Sequence, residues 1–344
     1  MPVTVVIGGQ FGSEGKGKVS HFFAREQNAT IAIRVGGTNS GHTVIDENGR
    51  PVILRQLPTA SLLPDVVAVL PAGAYIDPVI LKDEMELLGI SPDRVVIDPN
   101  AMVISSEDID SEKCGDLRST IGSTASGTGA AVQRRISRNK DVILAKDHPE
   151  LMQLTKPTVP LLRSALDKGE RVIIEGTQGY GLSLIHSPFY PFVTSRDTSA
   201  AAFIAEAGIS PFDVDDVILV LRSFPIRVAG NSGPLNREVD WQEVSRSAGT
   251  DVLELSSVTR MKRRVAEFDS EIVKQAIAAN RPTKIVLNHI DYIDNGKASQ
   301  LALGFVEGVE KEIGCLIDFL GFGQDSLISH SAISNDFVSE QRCC

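Results

Sequence analysis

The chain has 344 residues, of which 42% are hydrophobic and 23% are charged. This composition is typical of a folded globular protein and argues against disorder. The formal net charge of −10 excludes a generally basic surface of the kind that binds nucleic acids or anionic membranes. Any phosphate-binding site must therefore depend on a few residues at that site and not on a basic surface as a whole.

Neither end of the chain carries an obvious targeting or metal-binding signal. The N-terminus enters a strand-like run at once, without the features of a signal peptide, and no stretch of about 20 apolar residues predicts a membrane span. The six histidines form no metal-binding motif, and metal-ligand spacing is also missing from the four cysteines, which are Cys114, Cys315, Cys343 and Cys344. We expect a cytoplasmic protein without a protein-built transition-metal site.

Short β-branched runs that end in Gly, Asn or Asp recur along the chain, as buried parallel strands do. The predicted strands cover 4–9, 30–37, 66–73, 94–97, 171–176, 216–221 and 283–291. Helices are predicted from about Lys16 and, by their apolar spacing, over 77–89, 159–169 and 269–280. This alternation predicts an α/β fold with a mostly parallel central sheet and helices on both faces. We expect a single domain over 1–344 with long functional loops.

Two glycine-rich segments are candidates for phosphate binding. In "GGQFGSEGKGK" (8–18) the glycines let backbone N–H groups approach phosphate oxygens, the following helix presents its positive end, and Lys16 or Lys18 adds charge. The spacing is one residue too long for a Walker A loop, and Gly17 takes its hydroxyl position. The alternative is a plain turn with two surface lysines. The segment "STIGSTASGTGAAVQRR" (119–135) predicts a loop of small residues that also suits a phosphate.

Six stretches occur in the order and approximate spacing of adenylosuccinate synthetases, and the chain resembles this family over nearly its whole length. The stretches are "GGQFGSEGKGK" (8–18), "RVGGTNSGHT" (34–43), "IGSTASGTG" (121–129), "EGTQG" (175–179), "YPFVTS" (190–195) and "VTRMKRR" (258–264). The resemblance implies that a nucleoside triphosphate phosphorylates the 6-oxygen of a purine nucleotide. The amine of aspartate then displaces this phosphate, which leaves far more readily than an amide-like oxygen.

The resemblance also implies roles for residues around the donor triphosphate. Lys16 would hold the transferring phosphoryl group, and His42 would donate to the 6-oxygen and the γ-phosphate. Mg²⁺ would bridge the triphosphate oxygens, with the Gly41 carbonyl and the Ser13 side chain as protein ligands. The implied ATP-binding positions are Gly12, Glu14, Gly15, Lys16, Gly17, Lys18, Gly41, His42, Thr43, Asn288 and Asp291. His289 replaces the family's usual lysine in the base-reading segment, so the donor base is left open.

A second set of positions corresponds to the nucleotide monophosphate and aspartate. Gln178 matches the glutamine that orients the 6-oxo group, and the positions that correspond to the nucleotide phosphate pocket are Asn39, Ser123, Thr124 and Thr194. Arg138 matches an arginine that the partner subunit supplies, which implies a homodimer. Without the resemblance, a solvated basic helix face formed by Arg134, Arg135 and Arg138 is the simpler interpretation. The implied aspartate contacts are Val258, Thr259 and Arg263, and the guanidinium of Arg263 suits a carboxylate.

Two departures from the family indicate the substrate. Position 13 is aspartate in most members, where it removes the purine N1 proton, and the hydroxyl of Ser13 is too weak an acceptor to replace it. With guanine, an aspartate would accept from N1–H and the 2-amino group and stabilise the ground state, whereas Ser13 leaves room for that amino group. Met261 replaces an arginine that approaches the ribose 2′-hydroxyl. Both changes indicate 2′-deoxyguanosine monophosphate (dGMP), as in the viral branch of the family.

We therefore predict a ligase that joins L-aspartate to C6 of dGMP with ATP hydrolysis, with Ser13, Lys16, His42 and Gln178 in the catalytic set. A water held by Ser13 is a hypothesis for removing the N1 proton. One alternative is an ordinary adenylosuccinate synthetase acting on IMP with GTP. The other is an inactive nucleotide-binding regulator. Against it, the site residues are retained, although the loss of catalysis would have left little constraint on them.

Overall fold

The computed structural model describes residues 2–138, 140–256, 260–294 and 299–332. The strands are β1 (Val3–Gly8), β2 (Ile31–Arg34), β3 (His42–Ile45), β4 (Pro51–Leu54), β5 (Val67–Leu70), β6 (Tyr75–Ile76), β7 (Val95–Ile97), β8 (Met102–Val103), β9 (Val172–Glu175), β10 (Val214–Arg222), β11 (Ile226–Arg227), β12 (Glu238–Val239), β13 (Arg264–Ala266), β14 (Lys284–Asn288), β15 (Phe319–Phe322) and β16 (Ser326–Ser329). The α-helices are α1 (Lys16–Glu26), α2 (Pro78–Leu88), α3 (Ser106–Cys114), α4 (Leu117–Ile121), α5 (Thr128–Ile136), α6 (Thr158–Asp167), α7 (Ala200–Ala207), α8 (Trp241–Ala248), α9 (Ser270–Asn280) and α10 (Gln300–Ile313).

Nine strands form the central sheet in the order β16-β15-β14-β10-β1-β9-β2-β5-β7. All neighbouring pairs are parallel except β15 and β16, which pair antiparallel at one edge. Strands β1, β2 and β9 are buried along their whole length, as expected for parallel strands covered on both faces. The predicted α/β fold is confirmed, and each of the seven predicted strands lies in this sheet.

Alternate residues of β1 supply the two cores on either side of the sheet. Val5 and Ile7 pack into a cluster that includes residues of α7, α9 and α10. Val6, which points to the opposite face, packs with Val19 and Phe23 of α1. The period-two alternation of a strand thus anchors helices on both faces and holds the C-terminal end of β1 rigidly.

The helix at 77–89 shows why local signals predicted it well. Asp77 caps its N-terminus by accepting from the backbone N–H groups of Val79 and Ile80, and Pro78 occupies the first turn. Gly89 ends the helix in the left-handed region, with φ of 59°. Asp269 and Ser199 cap α9 and α7 in the same way.

The segment 119–135 is not one loop, which corrects the prediction. Helix α4 precedes and α5 follows the residues 122–127, so only these form the loop. The buried carboxylate of Glu112 accepts from the N–H groups of Gly127 and Ala130 at 2.8 and 3.0 Å. Glu112 thereby satisfies backbone N–H donors at the N-terminus of α5 and stabilises the helix. The small residues of this segment do not by themselves predict a helix.

Three small sheets, β3–β4, β6–β8 and β11–β13–β12, accompany the central one and were not predicted. Their strands have two to four residues, too few to show a clear alternation. Across the described ranges, no helix combines the length and the apolar character that crossing a membrane requires.

Candidate active site

Five neighbouring strands of the central sheet, β14, β10, β1, β9 and β2, have their C-terminal ends on the same side of the sheet. Strand β1 runs into the glycine-rich loop, β2 into residues 35–41, and β9 into residues 176–179, while β10 and β14 end at Arg222 and Asn288. In open parallel sheets, ligands bind in the crevice outside these strand ends. A cleft lies at these strand ends.

The structure brings most of the predicted site residues together in the wall of this cleft. They are Gly12, Ser13, Lys16, Asn39, Gly41, His42, Ser123, Thr124, Gln178, Thr194 and Arg263. The described positions predicted for the site but placed outside the wall are Glu14, Gly15, Gly17, Lys18, Thr43, Arg138, Asn288 and Asp291. Val258 and Thr259 lie outside the described residues.

The glycine-rich loop turns through three residues in the left-handed region, Gly12, Ser13 and Gly15, with φ of 87°, 58° and 90°. Glycine adopts this region without strain, but serine does so at some cost. The side chain of Ser13 is exposed on the cleft wall, and within the described ranges its hydroxyl has no hydrogen-bond partner. Its carbonyl accepts from Arg222 Nη1 at 2.9 Å, so the backbone is anchored while the hydroxyl stays available to a ligand.

The carboxylate of Glu14 stabilises the glycine-rich loop through contacts with its backbone and with Lys16. Its Oε1 accepts from the backbone N–H groups of Gln10 and Gly12 at 3.1 and 2.8 Å. Its Oε2 lies 2.6 Å from the ammonium of Lys16, and both side chains are buried. A Cβ at Gly179 would lie 2.3 Å from this carboxylate, so only glycine fits there. The Glu14 side chain therefore supports the loop and Lys16 and does not reach the cleft.

Lys18 and the predicted base-reading segment lie on the far side of the loop. Lys18 donates to the carbonyl of Gly323 at 3.2 Å, and burial lowers the pKa of Lys18 to about 8. Asn288 Nδ2 donates to the carbonyl of Glu14 at 2.7 Å, and Asp291 Oδ1 accepts from the N–H group of Gly323 at 3.0 Å. The Asn288 bond ties the glycine-rich loop to the end of β14, and the other two bonds tie Lys18 and Asp291 to the turn between β15 and β16.

A buried cluster of charged and polar groups lies at the ends of β2 and β9. Arg34 and Glu175 are register partners, and Nη1 of the arginine is 2.6 Å from Oε1 of the glutamate. His42 Nδ1 lies 2.7 Å from the same oxygen and also contacts Arg34 Nη1. Because an ionised carboxylate only accepts, we assign the proton of this bond to Nδ1. Arg34 Nη1 then donates to Glu175 Oε1 rather than to the imidazole. The other ring nitrogen, Nε2, is without a hydrogen-bond partner in the described part of the chain and is left for a ligand.

The protonation of this cluster follows from its burial. Burial, and then the charge of Arg34, lower the pKa of His42 from 6.5 to about 3. Burial also raises the pKa of Glu175, but His42, Arg34 and the hydroxyl of Thr59 outweigh that effect and lower the pKa to about 2. At neutral pH the cluster therefore holds a neutral imidazole between a carboxylate and a guanidinium.

We expect the free energy of unfolding to fall as the pH drops from about 6.5 towards about 3, with His42 as one source. The unfolded imidazole binds a proton near its ordinary pKa of 6.5, whereas the folded one does so only near 3, so acid favours the unfolded state. Glu175 acts in the same direction at lower pH. Urea unfolding across this pH range should show a shallower dependence for His42→Asn than for the wild type, and an identical dependence would contradict the assignment.

Arg227 is a cleft residue that sequence reasoning missed. It is 3% exposed, and its guanidinium lies 4.1 Å from the ring centroid of Phe11 and 5.1 Å from that of Phe189. Nη1 donates to the carbonyls of Phe192 and Ser232 at 3.2 and 2.5 Å. Burial lowers the pKa of Arg227 to about 10. In the described ranges Arg227 has no carboxylate partner. The one sequence feature that could have indicated a role in the cleft is its position shortly after β10.

A second ion cluster, in which Arg222 is buried and Glu254 and Arg263 are partly buried, joins the end of β10 to the loop before β13. Glu254 Oε1 lies 2.5 Å from Arg222 Nη2, and Oε2 lies 2.9 Å from Arg263 Nη1. The hydroxyl of Tyr292 donates to Glu254 Oε1 at 2.9 Å. Arg263 was predicted as the aspartate clamp, but neither Arg222 nor Glu254 was singled out, because their pairing spans 32 residues and no motif encodes it.

The remaining predicted residues lie near the surface. Met261 is 48% exposed and is not part of the cleft wall. Arg138 is exposed just after α5, with φ of 55°. Arg134 pairs with Asp108 at 2.6 Å and Arg135 donates to a backbone carbonyl, so these two do not form a solvated basic face.

Oxygen atoms in the cleft wall fit a hard cation such as Mg²⁺. The Ser13 hydroxyl and the Gly41 carbonyl both lie in the wall with Lys16, and neither is engaged by another group in the described ranges. Within those ranges, no group of three or more His, Cys, Asp and Glu side chains could hold a metal ion. The two wall oxygens suit an ion that takes its other ligands from phosphate and water.

The parallel sheet, the glycine-rich loop with its buried lysine, and the cleft at the strand ends together define an α/β nucleotide-binding protein. A family model described as adenylosuccinate synthetase matches residues 5–146 and 141–313. Adenylosuccinate synthetases of Methanococcus vannielii and Thermococcus onnurineus are each 36% identical, over alignments that cover 94% of this chain and 97% of each relative. The chain belongs to the adenylosuccinate synthetase family.

Solved structures agree with this assignment. The succinoaminodeoxyadenylate synthetase of cyanophage S-2L, bound to dGMP and to dATP as an energy donor, matches with a TM-score of 0.84 and 27% identity, covering 98% of this chain and 99% of that chain. Adenylosuccinate synthetase of Plasmodium falciparum matches with a TM-score of 0.84 at 19% identity, covering 95% and 99%, and so supports the fold alone. The protein is a carbon–nitrogen ligase of the adenylosuccinate synthetase type.

Proposed function

We propose that this ligase joins L-aspartate to C6 of dGMP and hydrolyses ATP, giving N6-succino-2-amino-2′-deoxyadenylate, ADP and phosphate. The observation that carries the proposal is the open hydroxyl of Ser13 in the cleft wall. In most of the family a carboxylate stands at this position, where it would accept from both N1–H and the 2-amino group of guanine. A serine leaves room for that amino group and can hydrogen-bond it.

The position of Gln178 supports this orientation of the base. Gln178 lies in the same wall as Ser13, and an ideal Cβ built on Gly12 would lie 3.6 Å from Gln178 Oε1. The amide that would orient the 6-oxo group and the hydroxyl that would face the 2-amino group therefore belong to adjoining segments. The cyanophage enzyme, whose structure was solved with dGMP and dATP, supports the same substrate class and an adenine donor.

Phosphoryl transfer would form a bond between the γ-phosphorus and O6 of the purine while the bond to ADP breaks. Lys16, whose ammonium lies 2.6 Å from Glu14 Oε2, would bind the γ-phosphate in exchange for this carboxylate. The Nε2 atom of His42 is open, and an anionic phosphate next to it would raise the pKa of the imidazole and allow it to donate. Mg²⁺, held by the Gly41 carbonyl and the Ser13 hydroxyl, would neutralise charge on the triphosphate.

Ligation would then join the aspartate nitrogen to C6, and phosphate would leave with the original O6. Arg263, which lines the cleft, would bind an aspartate carboxylate. Ser123 and Thr124, in the loop before α5, would contact the 5′-phosphate. Asn39 and Thr194 would complete this pocket, and Asn39 Nδ2 lies 3.4 Å from Thr194 Oγ1. In the earlier phosphoryl-transfer step, as O6 attacks the γ-phosphorus, a water held by Ser13 would relay the N1 proton to bulk solvent.

A direct assay of substrate choice tests the proposal. The protein is incubated with ATP, Mg²⁺, aspartate and one of dGMP, GMP or IMP, and phosphate release is measured. We expect the highest kcat/KM with dGMP. The curated relatives, named adenylosuccinate synthetase, favour a second candidate, IMP as substrate with GTP as donor. A preference for IMP would establish that candidate, and nucleotide binding without phosphate release would indicate a regulator.

We propose a homodimer in which Arg138 reaches the 5′-phosphate of the neighbouring subunit, because it is exposed and absent from the wall of its own cleft. Arg138→Ala is expected to raise the KM for the monophosphate about 10-fold, since a charge-assisted hydrogen bond is lost. Lys140→Ala, which removes an exposed cation two residues away, is the matched control. An unchanged KM in Arg138→Ala, or a monomer in sedimentation, would contradict the shared site.

A further inference from the structure

Glu254 contacts residues from three segments near the cleft. We propose that it is a positioning residue for the aspartate substrate, which holds Arg263 in the orientation that binds the aspartate carboxylate and couples that orientation to the glycine-rich loop. The inference rests on the proposed function in one respect, namely that Arg263 is the aspartate clamp. Glu254 itself is not part of the cleft wall, so it acts through Arg263.

Two contacts fix Arg263 to Glu254. The side-chain contact joins Arg263 Nη1 to Glu254 Oε2 at 2.9 Å, and the backbone N–H of Arg263 donates to the Glu254 carbonyl at 3.0 Å. Next to these contacts, Leu255 and Lys262 form an antiparallel bridge, so the backbone at 254–255 lies alongside the backbone at 262–263. Among the described residues, the other guanidinium nitrogens of Arg263 have no hydrogen-bond partner. A guanidinium that is held through one nitrogen can donate from its other nitrogens to a second carboxylate.

The other carboxylate oxygen links this pair to the glycine-rich loop. Glu254 Oε1 lies 2.5 Å from Nη2 of Arg222, a fully buried residue whose Nη1 donates to the carbonyl of Ser13 at 2.9 Å. Tyr292 donates its hydroxyl to the same Oε1 at 2.9 Å. A shift of the loop on triphosphate binding would therefore be transmitted to Arg263 through three consecutive hydrogen-bonded contacts, from Ser13 to Arg222, from Arg222 to Glu254 and from Glu254 to Arg263.

Charge explains why a carboxylate is needed at this position. Arg222 and Arg263 are both held at Glu254, and without the negative charge between them the two guanidiniums would repel each other. Burial favours the neutral acid, but the two arginines outweigh it and hold the pKa of Glu254 well below its usual range. The carboxylate is thus ionised at neutral pH and can hold both cations.

The test compares Michaelis constants for the two substrates. Glu254→Gln is expected to raise the KM for aspartate about 10-fold or more, with less than about a two-fold change in the KM for dGMP. Arg263→Lys should raise the KM for aspartate by itself. Because Glu254 acts through Arg263, the double variant should be no worse than Arg263→Lys alone. Additive effects of the two substitutions would overturn the inference.

A second variant covers the case in which Glu254→Gln does not fold, because it leaves the buried Arg222 without a carboxylate. Tyr292→Phe removes one hydroxyl donor to Glu254 and should raise the KM for aspartate about 3-fold. Asp216→Asn is the control: it breaks an ion pair with Lys284 near the other end of β10 and should lower stability without changing either KM.

The outcomes separate this inference from the proposed function. If the wild type releases phosphate in an aspartate-dependent reaction with dGMP while Tyr292→Phe leaves the KM for aspartate unchanged, the positioning role is overturned and the proposed function stands. If the wild type shows no aspartate-dependent phosphate release with any purine nucleotide, the proposed function fails, and the positioning role fails with it.

Discussion

Replacing His42 with asparagine is expected to lower kcat for aspartate-dependent phosphate release by about 10³-fold, the scale of losing a positioned donor or acid–base group. His42 lies in the cleft wall, with Nδ1 on Glu175 and Nε2 open. Asparagine is similar in size but cannot take up a proton as negative charge builds on the γ-phosphate and O6. The kcat should therefore fall much more than the KM for either nucleotide changes.

The matched control is His21→Asn, on the neighbouring helix α1. The His21 ring is bonded to the carbonyl of Thr59 and does not line the cleft. This variant should keep kcat within about two-fold of the wild type. A kcat for a folded His42→Asn within a few-fold of the wild type would show that the imidazole has no chemical role.

Replacing Ser13 with aspartate should lower the kcat for dGMP by about 10²-fold or more and lower its KM as well, so that dGMP no longer turns over faster than IMP at saturation. A carboxylate at this exposed position would accept from N1–H and the 2-amino group and stabilise the bound guanine before reaction, which lowers turnover. Turnover of IMP, which lacks the 2-amino group, should rise or remain unchanged. The measurement is kcat and KM, each determined separately for dGMP and for IMP, with phosphate release as the signal.

Ser13→Asn separates charge from size, because asparagine and aspartate are nearly isosteric and both tolerate the left-handed φ of 58° at this position. The asparagine variant should retain more dGMP turnover than the aspartate variant if the negative charge is what traps guanine. Undiminished dGMP turnover in Ser13→Asp would show that position 13 does not select the base.

The sheet and its helices were predictable because their signals are local. Buried parallel strands appear as short β-branched runs, and α2 carries its own start signal in Asp77 and its own stop signal in Gly89. The glycine-rich loop was predictable for the same reason. The loop at 122–127 was predicted too long, since α5 depends on the carboxylate of Glu112, a residue that lies 15 positions before Gly127.

The partners of the site residues could not be predicted, because they depend on strand order. Arg34 and Glu175 are 141 residues apart and meet because β2 and β9 are neighbours in the sheet. The link from Arg222 to Ser13 spans 209 residues and likewise depends on β10 lying beside β1. Local patterns located the candidate reactive groups, while the residues that set their charge and orientation required the three-dimensional arrangement.

The fate of the purine 6-oxygen tests the central claim most directly. The protein is given ATP, Mg²⁺, aspartate and dGMP that carries a heavy oxygen isotope at the 6-position, and both products are analysed by mass spectrometry. We predict that the isotope appears in the released phosphate and that the nucleotide product retains the 2-amino group and gains the succinyl group. Unlabelled phosphate, or a succinylated product formed from IMP but not from dGMP, would contradict the account.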